Sequence, residues 1–243
     1  MKKFELTSET KINIFGKKLF RIKALISFGN VEAGKTGGWV EKEENVNQSG
    51  DAWVFDNAEV FDNARVSGNA RVFGNARAFG NAEVFDNAEV FDNARVFDNA
   101  EVFDNARVSG NARVFDNARA FGNAEVFGNA EVFDNAEVFD NARVFDNAEV
   151  FDNAWVSDNA RVFDNARVFD NADYATIHGF GTQFRTTTFF RCKDKQVKVS
   201  CGCFYGTIPE FREQVKNTRK GKIAEEYLMI ADLMEKHFAE EAK

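Results

Sequence analysis

From Ala52 to Ala172 an alanine stands at every sixth position, 21 of them in unbroken register. A period of six sustained over half of a 243-residue chain leaves few folds open, because each unit is too short to bury its own apolar face and must stack on its neighbours. From Asn57 to Asn171 an asparagine precedes each of these alanines. The unit reads Ala-Glu/Arg-Val-Phe-Asp/Gly-Asn, with Ser67, Ser109 and Ser157 in the Phe slot. In Ala58-Glu59-Val60 alternation sends Ala and Val to one face and the charge to the other, as a short strand requires. Phe61-Asp62-Asn63 breaks the alternation and contains Asn, which tolerates left-handed backbone angles better than other residues bearing a Cβ, so this triplet is the corner. Strand and corner repeated three times per coil give a triangular prism with small residues inside. The expected fold is mainly β, a left-handed parallel β-helix.

Twenty-one units make about seven coils, a column about 30 to 35 Å long at the roughly 4.8 Å spacing of stacked strands. Residues 65–106 and 107–148 agree at 38 of 42 positions, departing at 74, 86, 95 and 101 of the first copy. Seven units were copied, and seven is not a multiple of three, so a feature of one wall reappears on another. That argues against an active site built along one wall. Of 15 Arg/Glu pairs spaced by 18 residues, 10 are opposite in sign, which fits three units per coil.

Charge follows the same division. Residues 1–50 hold 9 basic and 6 acidic side chains, residues 51–174 hold 10 and 24, and residues 175–243 hold 12 and 9. A rod of net charge −14 repels nucleic acid, leaving protein as the expected partner. No apolar run is long enough to span a bilayer, and the opening MKKFELTSET lacks the apolar core of a secretory signal, so a cytoplasmic location without membrane contact is expected. Three cysteines, Cys192, Cys201 and Cys203, are read as free thiols that could converge; no fourth ligand has zinc-like spacing, and no metal or cofactor is expected. Gly34-Lys35-Thr36 lacks the first glycine of a phosphate loop and is read as a turn.

The unit Val60-Phe61-Asp62-Asn63-Ala64-Arg65, an aliphatic residue followed four positions later by a small one, resembles that of the hexapeptide-repeat superfamily. It departs from the family in carrying Phe where Gly is frequent. The whole chain resembles proteins of bacterial and prophage genomes that join such repeats to an N-terminal Gly37-Gly38-Trp39-Val40 segment and a C-terminal Cys201-Gly202-Cys203-Phe204 segment. The superfamily resemblance implies acyl transfer as one activity, with a histidine as general base. The repeats contain no histidine; His178 and His237 lie beyond them.

Residues 1–49 are read as an N-terminal β cap and irregular first coil, with Trp39 covering the rod's end, residues 50–174 as the rod, and residues 175–243 as a C-terminal cap or oligomerisation segment. In that last part a hairpin is expected over Thr187 to Phe204, then a helix capped by Thr207 with Glu210 three residues on, then a second from Lys222 to Glu240. The second helix carries Ile223, Tyr227, Ile230, Met234 and Phe238 on one stripe, to cover the rod or a second subunit. Gln183, Arg185, Lys17-Lys18 and Lys216 to Lys222 are read as solvated. The Phe and Asp columns form the candidate interaction surface: Phe61, Phe85, Phe91, Phe103, Phe133 and Phe151 with Asp62, Asp92, Asp104 and Asp134. His178, Cys201 and Cys203 are candidates at the rod's end, and no catalytic residue is assigned. The expected function is a non-enzymatic structural or protein-binding scaffold, phage- or prophage-encoded, homo-oligomeric, and in its most concrete form an acidic inhibitor of a host defence protein. The alternative is a degenerate acyltransferase.

Overall fold

The structure is a computed structural model and describes residues 2–239. Twenty two-residue strands, β4 (Trp53–Val54) to β23 (Arg167–Val168), stack in parallel into three sheets. Each strand pairs with those three units before and after it: Glu89 lies in register with Arg71 below and Arg107 above. Sheet I contains β5, β8, β11, β14, β17, β20 and β23; sheet II contains β4, β7, β10, β13, β16, β19 and β22; sheet III contains β6, β9, β12, β15, β18 and β21. The result is a parallel β-solenoid of about seven turns. Every alanine and valine of the inward slots from Ala52 to Val168 is fully buried. Two-residue strands cannot persist alone, and what holds them is the ladder along the axis: Glu89 N–H to the Ala106 carbonyl and Phe91 N–H to that of Val108, each at 3.0 Å.

Each corner is a tight turn closed by the Phe carbonyl and the Ala N–H, as in Ala94 to Phe91 at 3.2 Å. Its left-handed residue is the one before Asn. The corner aspartates from Asp56 to Asp164 have φ of 52–59°, the glycines in the same slot have 66–71°, and no repeat Asn is positive. Asn instead links the coils through its side chain. Its Nδ2 donates to the Oδ1 of the Asn one coil on, as in Asn81 to Asn99 at 2.9 Å and Asn99 to Asn117 at 3.1 Å. Such amide ladders run along all three edges and reinforce the backbone ladder.

At the N-terminal end β1 (Phe4–Ile12) and β2 (Lys18–Ala24) form an antiparallel hairpin. The second strand pairs with β3 (Thr36–Val40), which joins sheet I in parallel with Trp39 beside Glu59. Val46 bridges Val66, so residues 36–54 form the irregular first coil. The expected role of Trp39 is corrected. It lies on the outer face, packed with Leu19 and Phe61 beneath Lys11 and Arg21, whereas the fully buried ring is Trp53, held edge-on by Phe4 and Phe28. A Cβ on Gly37 would come within 2.6 Å of the Trp53 ring, so that glycine is what lets the first coil close over it.

At the other end β24 (Tyr174–Phe180), β25 (Arg185–Arg191), β26 (Val197–Cys201) and β27 (Phe204–Thr207) form an antiparallel meander, so the expected hairpin is the middle of a four-stranded sheet. One face of it closes the rod through Phe190 and Cys192. The other, with Phe189 and Val199, is covered by α1 (Ile208–Thr218) and α2 (Gly221–His237). Thr207 caps α1 with Glu210 reciprocating, as expected. The α2 stripe of Tyr227, Ile230, Met234 and Phe238 therefore covers this sheet, neither the rod wall nor a second subunit. The expected helix end at Glu240 lies outside the described residues. No helix among the described residues is long and apolar enough to cross a membrane.

Candidate functional site

Each sheet ends in an edge of the prism where a Phe column, an Asp/Gly column and an Asn column run side by side, and the three edges differ. On edge I, after sheet I, Phe61, Phe79, Phe97, Phe115, Phe133 and Phe151 stack without a break, with centroids 4.8–5.0 Å apart and planes within 8° of parallel. That spacing is the strand spacing, so the coil repeat sets the rings into offset stacks. Edge II is interrupted at Ser109, between Phe91 and Phe127, and edge III runs from Phe85 to Phe139 between Ser67 and Ser157.

The outward arginines sharpen the difference. On edges II and III the guanidiniums fold over the rings: Arg71 on Phe55 and Phe73, Arg107 on Phe91, Arg119 on Phe103 and Phe121, Arg143 on Phe127 and Phe145. On sheet I, Arg77 turns to Glu59 and Arg113 to Glu131, and Arg95 between them has no carboxylate partner among the described residues. From Phe79 to Phe133 no cation covers the edge I rings among the described residues. Beyond Gly80, Asp98, Asp116, Asp134 and Asp152 follow one another in the corner slot of edge I, whereas glycines at 74, 110 and 128 divide the column of edge II and the one at 122 that of edge III. Ion pairs spaced by 18 residues, as in Arg71–Glu89 and Arg143–Glu125, balance the walls, so the acidity collects at the corners.

The residues proposed from sequence do not form one patch. Phe61, Phe133, Phe151, Asp62 and Asp134 lie on edge I, Phe91 and Asp92 on edge II, and Phe85, Phe103 and Asp104 on edge III. Two of them are not available: Phe61 is buried under the N-terminal hairpin against Phe15, and Asp62 is paired with Lys17. Lys17, expected to be solvated, anchors that hairpin. Phe151 is nearly buried at the far end, with Arg167 over it. Asp92 and Asp104 accept from the corner N–H groups of Gly110 and Gly122, each at 3.2 Å. Sequence reading missed the uncovered rings Phe97 and Phe115, which follow Phe79, itself partly covered by Phe15 of the N-terminal hairpin; the absence of serine from every sixth-residue Phe slot of sheet I, counted by 18, is the signal that marks them.

In the C-terminal cap the three thiols do not converge. Cys192 is buried beside Ala166 at the rod's end, where burial pushes its thiol up to about 11. Cys201 lies at the opposite end of the sheet, accepting from Thr187 Oγ1 at 3.1 Å, and Cys203 is in the exposed turn that follows. His178 is exposed on β24 with Nδ1 3.2 Å from Thr186 Oγ1, apart from the cavity that Cys201 and Cys203 line. Among the described residues no group of three or more His, Cys, Asp or Glu side chains is placed to hold a metal ion.

Comparison with known proteins supports the same architecture. No curated protein matches the chain. A family model described as the YdcK β-solenoid repeat matches residues 64–80 and 106–120. The two segments start 42 residues apart, the length of the internal duplication, and each includes the Ser-Gly corner at Ser67 or Ser109. The chain is thus a parallel β-solenoid repeat protein, similar in those two segments to the YdcK solenoid repeat.

Proposed function

We propose that the protein is a rigid, non-enzymatic scaffold whose edge I binds a protein partner bearing an apolar strip flanked by basic residues. The observation that carries this reading is the run of uncovered rings Phe97 to Phe133 beside the unbroken column Asp98 to Asp152. Contiguous apolar surface rimmed by one sign of charge is the composition of a docking strip. The stacked, doubly laddered corner holds it straight, so little ordering entropy is lost on binding. A second copy of the edge is a poor occupant, since its aspartates repel. Where the partner is a host enzyme with a basic surface, as a prophage-encoded inhibitor would require, the same strip is the inhibitory surface.

Glycine already occupies the corner slot at Gly74, Gly80 and Gly128, so Asp98, Asp116, Asp134 and Asp152 can be replaced by Gly within the fold. The test compares that variant with one in which Asp92, Asp104, Asp140 and Asp146 on the other two edges become Gly, which has the same net charge. A partner captured by the wild type and by the second variant, lost by the first and lost at high salt, supports the reading. Equal capture by both variants overturns it.

A further inference from the structure

The C-terminal cap encloses a cavity of about 330 Å³ between α1, α2 and the turns joining β24 to β25 and β26 to β27. Two guanidiniums, Arg185 and Arg219, line it with the amides of Gln183 and Gln214 and the Tyr227 hydroxyl; no Asp or Glu is among its lining residues. Neither arginine has a carboxylate partner among the described residues, although most arginines of the rod do. Arg219 follows the C-terminus of α1, where the helix dipole favours a cation, but Arg185 starts a strand and has no such support. Burial and the neighbouring Cys201 push the Tyr227 phenol up, and Arg219 and Arg185 oppose this only in part.

The backbone is shaped around two of these groups. Gly202, at φ +63°, lies under Arg185, and a Cβ there would come within 2.2 Å of its Nη1. Gly181, at φ +71°, leaves room for the Tyr227 hydroxyl, which a Cβ would meet at 2.5 Å. That hydroxyl donates to the Phe180 carbonyl at 3.2 Å, so it is held in place rather than mobile. Two turn glycines thus leave room for one cation and one hydroxyl at the cavity wall, which a second cation also lines. Two exposed guanidiniums with no carboxylate partner among the described residues leave their donors free for an anion.

We propose that this cavity is a binding site for a small oxyanion-bearing molecule, a phosphate or carboxylate, held between Arg185 and Arg219 with its apolar body against Phe204. Guanidinium forks match the geometry of both head groups. The cavity's size, at the lower end for ligand sites, restricts the occupant to a small metabolite or the free ion. The site is independent of edge I, so a scaffold that fails to bind there can still bind here.

The experiment is calorimetric titration of the full chain with inorganic phosphate and, separately, with benzoate, at ionic strength held constant with sodium chloride. Saturable binding of one probe is expected, and which probe binds identifies the head group. Arg185→Gln and Arg219→Gln should each weaken it at least about tenfold. Lys216→Gln, a cation on α1 outside the cavity, should leave it unchanged. Arg185→Gln should also leave the ligand-free melting temperature at or above that of the wild type, which a structural arginine would not allow. Gly202→Ala, which obstructs Arg185 without removing its charge, should weaken binding too, and if it does not fold the two arginine variants decide. No saturable binding of either probe up to about 10 mM, or an equal loss in Lys216→Gln, overturns the assignment.

Discussion

The corner slot shows how far single residues can be read from the repeat. Asp and Asn stand side by side in most corners and both tolerate left-handed angles, so chemistry alone does not choose between them. The structure places the positive φ on Asp, and the repeat holds the reason: glycine replaces Asp at 68, 74, 80, 110, 122 and 128 but never Asn. An Asp there carries strain that Gly does not, and so Asp116→Gly should raise stability by about 0.5–1 kcal/mol even after glycine's extra unfolded-state entropy. Asn117→Ala, which breaks ladder bonds to Asn99 and Asn135, should lower it by about 0.5–1 kcal/mol. Chemical denaturation of the pair checks the opposite signs. A second residue acts through pH. Lys3 is buried with its ammonium donating to the Ala52 carbonyl, and burial lowers its pKa to about 8. The unfolded chain, with an ordinary lysine value of 10.5, therefore holds a proton that the folded chain gives up between those two values. Stability should rise with pH across that window. The buried Cys192 thiol opposes it once pH passes its ordinary value of 9.0, so the rise is cleanest between about pH 8 and 9. Melting temperatures measured there should climb for the wild type and stay level for Lys3→Met.

At the scale of elements, the rod was legible because period, alternation and corner chemistry agree, and the caps less so because tertiary contacts decide them. Trp39, Trp53 and Trp155 all occupy the outward slot of a strand, beside Glu59, Arg71 and Glu137. Periodicity treats them alike. Where the N-terminal hairpin folds makes the difference: Trp53 is fully buried and Trp155 is 53% exposed. Trp53→Ala should cost about 3–5 kcal/mol and loosen the hairpin, while Trp155→Ala should fall within about 0.5 kcal/mol of the wild type. Hydrogen exchange along Phe4–Ile12 would show the hairpin responding to the first substitution and not the second. The C-terminal helices were readable from the Thr207 cap and the α2 stripe, yet not what they cover, since β24 (Tyr174–Phe180) lacks clean alternation and β27 (Phe204–Thr207) runs straight into a helix. The cavity was invisible for the same reason. Arg185 and Arg219 are 34 positions apart, and only the sheet and helices bring them together.

For the whole molecule, the out-of-phase duplication reads differently once the edges are known. Copying seven units put Ser67 of edge III onto edge II as Ser109, so the sequence suggested that no wall was special. Yet edge I emerged with neither a serine between Phe61 and Phe151 nor a glycine between Asp98 and Asp152, which separates a tolerance of the fold from a requirement of the surface. The two are separable by deletion. Removing residues 107–124 takes out one coil, keeps every later unit on its own edge, and brings Phe91 onto Phe127 across the lost Ser109 gap. Edge I still carries Asp98, Asp134 and Asp152 in succession. Removing residues 107–112 takes out one unit and turns everything beyond it by one edge, so that Gly122 and Ser157 enter edge I. Among the described residues each cap bonds to its adjoining coils, through contacts such as Lys17–Asp62 at one end and Tyr205–Asp164 at the other. Both deletions should therefore fold cooperatively with melting temperatures near the wild type, the first shorter by about 4.8 Å in small-angle scattering. Partner capture should survive the coil deletion and fail in the single-unit deletion. If the single-unit deletion captures as well as the wild type, the partner reads the caps or the overall charge, and edge I is only a consequence of how the rod stacks.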